Sequence, residues 1–229
     1  MAEKSSLLVL RLEGALQSWG DGSKWDDRDS TSMPSKSGIV GLLACAMGLE
    51  REDTEIAALS EAISVTVRAD RPGTKAVDFQ TVTTLPGYHL QTANGGRRSS
   101  GDTIISRRTY LQDASFLVVI AAEPIWHERI ITALKAPKWC VCLGRKNCVP
   151  SRPVLECEAP VERDLLKLIR TYPVADRAVY PMIFETDVPL SNAVSYTKPD
   201  ERRPGDRSFV RRTVWRGIIE EDSHVSDEN

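Results

Sequence analysis

Cations and flat side chains gather at several places in this chain. Gln17, Ser18 and Trp19 end a glycine turn, and the polar loop that follows carries Arg28. Ser35, Lys36 and Ser37 stand where a helix is predicted to begin. Arg97, Arg98, Arg107 and Arg108 fall on one hairpin, with Tyr110 close behind, and Arg145 and Lys146 follow a glycine in a short loop. Arg202, Arg203, Arg207, Arg211, Arg212 and Arg216 crowd the C-terminal segment with Phe209 and Trp215. Single-stranded RNA asks for this mixture, cations for phosphates and flat groups for bases. The free N–H groups of a helix start add a further anion site. Any one cluster also suits a solvated face, and Trp19 also suits a lid over the core edge. It is their combination that points to RNA.

Catalysis finds less support. The three histidines are His89, His127 and His224. His127 sits beside Trp126 in a predicted helix and His224 in an acidic tail, which leaves His89, next to Tyr88, as the one candidate base. A nuclease brings a base, an acid and a stabiliser of the phosphate transition state together, and no Lys neighbours His89. Asp26, Asp27 and Asp29 read as a solvated loop, because two-metal sites draw ligands from several elements. Gly41 to Gly48 is not a phosphate-binding G-x-x-x-x-G-K-[ST] loop. An odd count of five cysteines argues against a disulfide framework. Cys140-x-Cys142 with Cys148 and Cys157 lacks the usual zinc spacer of about two to four residues. No catalytic residue, metal or cofactor is expected.

The elements that position these residues follow from hydrophobic periodicity. Leu7–Leu12 reads as a strand buried on both faces. Ile39, Leu42, Leu43, Ala46 and Met47 follow helical spacing, with Ser35 or Ser37 as cap and Gly48 as stop. A second helix is predicted over Thr54–Ala62 and a strand over Ile63–Ala69. The β-prone arms Phe79–Leu85 and Thr103–Leu111 flank a polar tip, which predicts a long hairpin, a thumb, over about 78–113. Ala114–Ala122 reads as a buried strand, Pro124 opens a helix, and Trp139–Leu143 reads as a further strand. This is the β-α-β-β-α-β order of an α+β, ferredoxin-like or RRM-type domain over 1–159. Right-handed crossovers would put both helices on one face and leave the other open to a partner. A helix over Glu162–Thr171 and a small β-rich region over 160–219 follow, then an acidic tail over 220–229.

Composition is that of a soluble globular chain, 41% hydrophobic and 27% charged. The net charge of −2 excludes a generally basic nucleic-acid protein. The last ten residues hold five acidic side chains and no Lys or Arg, so the remainder is slightly basic. No apolar run approaches bilayer length, and the run after Met1–Ser6 is too short and contains Arg11, unlike a signal peptide. A cytoplasmic location away from membranes is expected.

Gly14-Ala15-Leu16-Gln17-Ser18-Trp19-Gly20, the stretch from Pro34-Ser35-Lys36-Ser37-Gly38 through Gly48-Leu49, and Arg51-Glu52-Asp53 together resemble the N-terminal signature of the CasD family. These are the "Cas five" subunits of type I-E CRISPR Cascade. The resemblance is strongest over 7–53 and continues more weakly through the hairpin and the Leu143–Cys148 loop. It implies an RRM-like fold with a thumb, gripping the 5′ handle of the crRNA and capping the Cascade backbone. Implied partners are the backbone subunit of the Cas-seven family and the large subunit, with target DNA reached through the complex. It places Gln17, Ser18, Trp19, Ser35, Lys36, Ser37, Arg107, Arg108, Arg145 and Lys146 against the handle. It implies a structural subunit, whereas some type I-C relatives are metal-independent RNA endonucleases, which keeps Tyr88 and His89 in view as an alternative.

Overall fold

The computed structural model describes residues 5–20, 26–85, 87–92, 95–98, 101–191, 193–202 and 209–221. The tail beyond Glu221, with His224, lies outside the described residues, as do Arg203, Arg207 and the side chains of Arg202 and Phe209. The elements are β1 (Ser6–Gln17), β2 (Asp27–Arg28), α1 (Lys36–Met47), α2 (Glu55–Ala62), β3 (Ile63–Arg71), β4 (Thr74–Thr83) and β5 (Thr103–Ala122). Then come α3 (Pro124–Lys135), β6 (Leu155–Cys157), α4 (Leu165–Thr171), β7 (Met182–Thr186), β8 (Val194–Arg202) and β9 (Phe209–Ile219).

β5 is the spine of a mixed α/β chain built on one large sheet. The order is β6-β1-β5-β3-β7-β9-β8, with β2 and β4 also paired to β5. Every ladder is antiparallel except β2 on β5. The arm and the buried strand predicted separately here are one strand. Its second half, from Ala114, lies between β1 and β3; its first half pairs β4 from Thr74↔Gln112 to Thr83↔Thr103. The break between the halves is Asp113, at φ 54, a local kink of the kind that re-aims a strand. β7, β9 and β8 extend the same sheet, since β7 pairs β3 at Thr66↔Thr186.

α1, α2 and α3 cover one face. Ile39, Leu43, Leu59 and Ile130 pack there on Leu8, Leu10, Phe116 and Val118. α1 begins and ends as its residues dictate. Ser35 Oγ accepts from the Gly38 N–H, and Gly48 closes the helix at φ 72 with its N–H on the Ala44 and Cys45 carbonyls.

Two expectations are corrected. Trp139–Leu143 is a loop, and β6 takes the sheet edge beside β1. The loop's backbone is committed elsewhere: Lys138 N donates to Ala46 O at 2.8 Å, and Leu143 O accepts from Ser18 N at 3.0 Å. The second face of the sheet is not open either. α4 lies across it, with Leu168 and Ile169 packed on Leu7, Val9, Leu117 and Val119.

A buried charge network pins α4 there. Arg11, Arg68 and Asp70 are all almost fully buried. Asp70 accepts from Arg11 Nη1, from Arg68 Nε at 2.6 Å and from Ala175 N at 2.8 Å. Arg68 Nη1 donates to Ile169 O at 2.7 Å and Tyr172 O at 2.9 Å, and Arg11 Nη2 to Pro173 O at 2.8 Å. The carbonyls that a helix end leaves unpaired are thus met by cations on the sheet face that α4 covers.

Candidate nucleic-acid interface

β4 and the first half of β5 form the thumb, a ribbon whose side chains are largely exposed on both faces. Directly opposed residues share a face, so the register places Val77, Phe79, Thr81, Ile105, Arg107 and Thr109 together. Phe79 is 57% exposed and Arg107, its partner in the ladder, is exposed. Toward the tip, Gln91 bridges Arg97, Arg98 N donates to Leu90 O at 2.8 Å, and Arg97 is exposed.

The thumb base is where the predicted cations converge. β2 runs beside β5, setting Asp27 opposite Arg107 and Arg28 opposite Arg108. Arg145 staples the two: Nη1 donates to Thr109 O at 3.0 Å, Nη2 to Arg28 O at 2.7 Å and Asp29 O at 3.2 Å. Its guanidinium lies over the Tyr110 ring, 4.8 Å from the centroid, and Asn147 Nδ2 donates to the Tyr110 hydroxyl at 3.1 Å. Lys146, the next residue, is exposed. Arg145 and Tyr110 therefore hold the base together instead of facing a ligand. Arg28, Arg107, Arg108 and Lys146 are left at least partly exposed around them.

Other predicted contacts are interior. Trp19 is 1% exposed, and its Nε1 donates to Gln17 Oε1 at 3.1 Å. Gln17 Nε2 donates to Leu12 O and Ala114 O, and Ser18 Oγ to Thr109 O. This turn covers the core edge and ties β1 to β5; it offers no stacking face. Ser35 is buried as the helix cap, and Ser37, partly exposed, lies with its Oγ 3.2 Å from Ser35 Oγ.

Lys36 is buried and points inward, Nζ lying 3.3 Å from Glu201 Oε1 and 3.7 Å from Asp187 Oδ2. The anion at the α1 N-terminus is the chain's own Asp200, whose Oδ2 accepts from Lys36 N at 3.0 Å. Arg212 grips the same carboxylate, Nε at 2.7 Å and Nη2 at 3.0 Å. Burial pushes the Asp187 carboxyl up, and the Val65 N–H, Lys36 and Arg212 only partly offset it. Asp200→Ala removes a helix-terminal carboxylate and leaves Arg212 without its partner. It is expected to lower stability by about 1–3 kcal/mol, seen as a lower urea midpoint at unchanged slope.

The C-terminal arginines are likewise committed in part. Arg216 Nη2 donates to Glu185 Oε1 at 2.7 Å, beside Lys198 and Tyr196. Burial opposes ionisation of Glu185, but Lys198, Tyr196 and Arg216 together hold its carboxyl below the usual range. His89 Nδ1 lies 3.0 Å from Arg98 O, and Tyr88 is exposed beside it. His127 Nε2 lies 2.9 Å from Glu158 O, fastening α3 near β6. Cys140 and Cys142 lie in the loop after α3 and Cys157 on β6, and among the described residues no group of three possible metal ligands forms. Phe79, exposed beside Arg107, is not among the predicted contacts; the alternation of Val77 and Phe79 with polar neighbours puts both on one face of the ribbon.

The comparisons agree with one another. A family model described as CRISPR-associated protein (Cas_Cas5) matches residues 7–221. The chain is 34% identical over 169 residues to the CRISPR system Cascade subunit CasD of Escherichia coli (strain K12), covering 67% of this chain and 72% of that protein. A solved chain of a CRISPR RNA-guided surveillance complex superposes with a TM-score of 0.75 at 30% identity, covering 94% of this chain and 90% of that one. A crystal structure of a Cas protein superposes at 0.70 with 28% identity, covering 95% and 97%.

Proposed function

Because this chain belongs to the Cas5 family of CRISPR-associated proteins, we propose that it is a non-catalytic, cytoplasmic RNA-binding subunit of a type I-E Cascade surveillance complex. It grips the 5′ handle of the crRNA and caps the backbone. Its partners are the Cas-seven backbone subunit and the large subunit, and it meets target DNA through the complex.

The observation that carries this reading is the thumb base. Arg28, Arg107, Arg108 and Lys146 surround a frame made by Arg145, Tyr110 and β2, so cations for phosphates are held in place before RNA arrives. In this reading β6-β1-β5-β3 with α1 and α3 is a ferredoxin-like, RRM-type unit. Because α4 occupies the sheet face that an RRM offers to RNA, RNA meets the thumb and its base instead.

Salt dependence tests it. Each phosphate contact on a single strand contributes about −0.7 to the slope of log affinity against log salt. Arg107→Ala combined with Arg108→Ala is expected to flatten that slope by about 1.4, measured by titrating a handle RNA at several salt concentrations. An unchanged slope takes the thumb base out of the phosphate contacts. If the chain cuts RNA and His89→Ala abolishes the cut, the endonuclease reading replaces this one.

A further inference from the structure

A cleft of about 470 Å³ opens between α1, α2 and the loop after α3. That size suits a small planar ligand. Gly41, exposed on α1, lines it between the buried Val40 and Ala44, and Trp139 lines it from the loop after α3. The glycine leaves space there: a Cβ built at Gly41 meets nothing within 4 Å. Trp139 is 42% exposed, yet both neighbours are tied to α1, Lys138 N donating to Ala46 O at 2.8 Å and Cys45 Sγ to Cys140 O at 3.3 Å. The loop that carries the indole is thus tied to α1 before anything binds.

The polar groups around the cleft tell what the occupant is. Ser37 and Ser60 line it, and among the described residues its charged side chains, Arg51 and Lys146, are both cations and no carboxylate lines it. An occupant that suits a flat apolar slot, hydroxyl partners and a cationic rim is an aromatic heterocycle carrying negative charge. Lys146 also directly follows Arg145, the residue that fixes the thumb base, so the cleft and the base share one loop.

We infer that the cleft takes one unstacked nucleobase of the bound RNA, seated on Gly41 against Trp139, with its phosphate at Lys146. This rests on the RNA-binding reading above and adds a base-recognising site to it.

The test uses the full chain, a synthetic RNA with the repeat-derived 5′ segment, and copies of it with an abasic nucleotide at each position in turn. Gly41→Leu sets its Cβ in open space and replaces a mid-helix glycine, so its Tm is expected to match or exceed that of the wild type. One abasic position is expected to weaken wild-type binding about tenfold, the loss of one base–aromatic stack. Gly41→Leu and Trp139→Ala should each weaken binding of intact RNA by about the same factor, and that abasic RNA should lose nothing further on Gly41→Leu. Undiminished affinity of both variants, with salt-dependent wild-type binding intact, overturns the pocket and leaves the RNA reading standing. A wild-type chain that binds no RNA overturns both. Loss of co-purifying protein subunits on Gly41→Leu at unchanged RNA affinity assigns the cleft to a protein partner and also overturns it.

Discussion

Asp70→Ala is expected to cost the fold about 3–5 kcal/mol, the range for removing one partner from a buried ion pair. The loss leaves two guanidinium groups, Arg11 and Arg68, in a site where neither is more than 2% exposed. Arg11 keeps the Pro173 carbonyl, and its nearest remaining carboxylate among the described residues is Glu156, 3.6 Å from its Nε. In a chain of this size the loss corresponds to a fall in Tm of about 6–20 °C. It should be accompanied by exposure of the apolar face that α4 covers, read as dye binding to Leu7, Val9, Leu117 and Val119. Replacing the whole triad by apolar residues is not expected to rescue stability, although buried ion triads can be replaced in this way elsewhere. Here the arginines also satisfy the carbonyls of Ile169, Tyr172 and Pro173, and Asp70 satisfies the Ala175 N–H. An apolar core would leave those groups unpaired. A change below about 1 kcal/mol for Asp70→Ala would mean that packing, and not this network, holds α4.

What was legible in the sequence was whatever a local rule decides. Periodicity and caps placed α1 from Ser35 to Gly48, and a proline in the first turn placed α3. What was not legible depended on partners far along the chain. Trp19 could face either way until Gly38 is seen beside it: a Cβ there would meet the indole at 2.8 Å, so the helix start has made room for the ring. Lys36 reads as a surface cation because its acceptors, Asp187 and Glu201, lie more than 150 residues away. The helix start reads as an anion site because it is one; its anion, Asp200, comes from β8. β6 has only three residues, too few for any pattern, whereas Trp139–Leu143 has β-prone residues whose backbone is bound to α1 and β1. The open sheet face failed for the same reason: topology predicts which face two helices leave bare, but not that α4 returns to cover it.

Gly144→Ala is expected to damage both stability and RNA binding, because one glycine sets the thumb base against the body. Gly144 sits at φ +93, and a Cβ there would lie 1.7 Å from the Ser18 carbonyl oxygen. Both sides of that contact are backbone, so no side chain can swing away. The 143–148 loop must lift from β1, taking with it the bond from Ser18 N to Leu143 O and the three donations by Arg145. Left-handed strain of about 1–3 kcal/mol and four weakened hydrogen bonds of about 0.5–1.5 kcal/mol each put the cost at about 3 kcal/mol or more. Gly87→Ala is the control: its φ of +85 carries similar strain, yet a Cβ there meets nothing within 4 Å. The difference between the two variants in denaturant midpoint isolates the clash, and equal midpoints would refute it. The second readout concerns function. Below its unfolding temperature, Gly144→Ala should bind handle RNA with a flatter salt slope than wild type, as the double arginine variant does, although it removes no charge. Arg28, Arg107, Arg108 and Lys146 would still be present but no longer held around one frame. If the slope is unchanged while stability falls, the cations act without that frame and preorganisation of the thumb base is not what binds RNA.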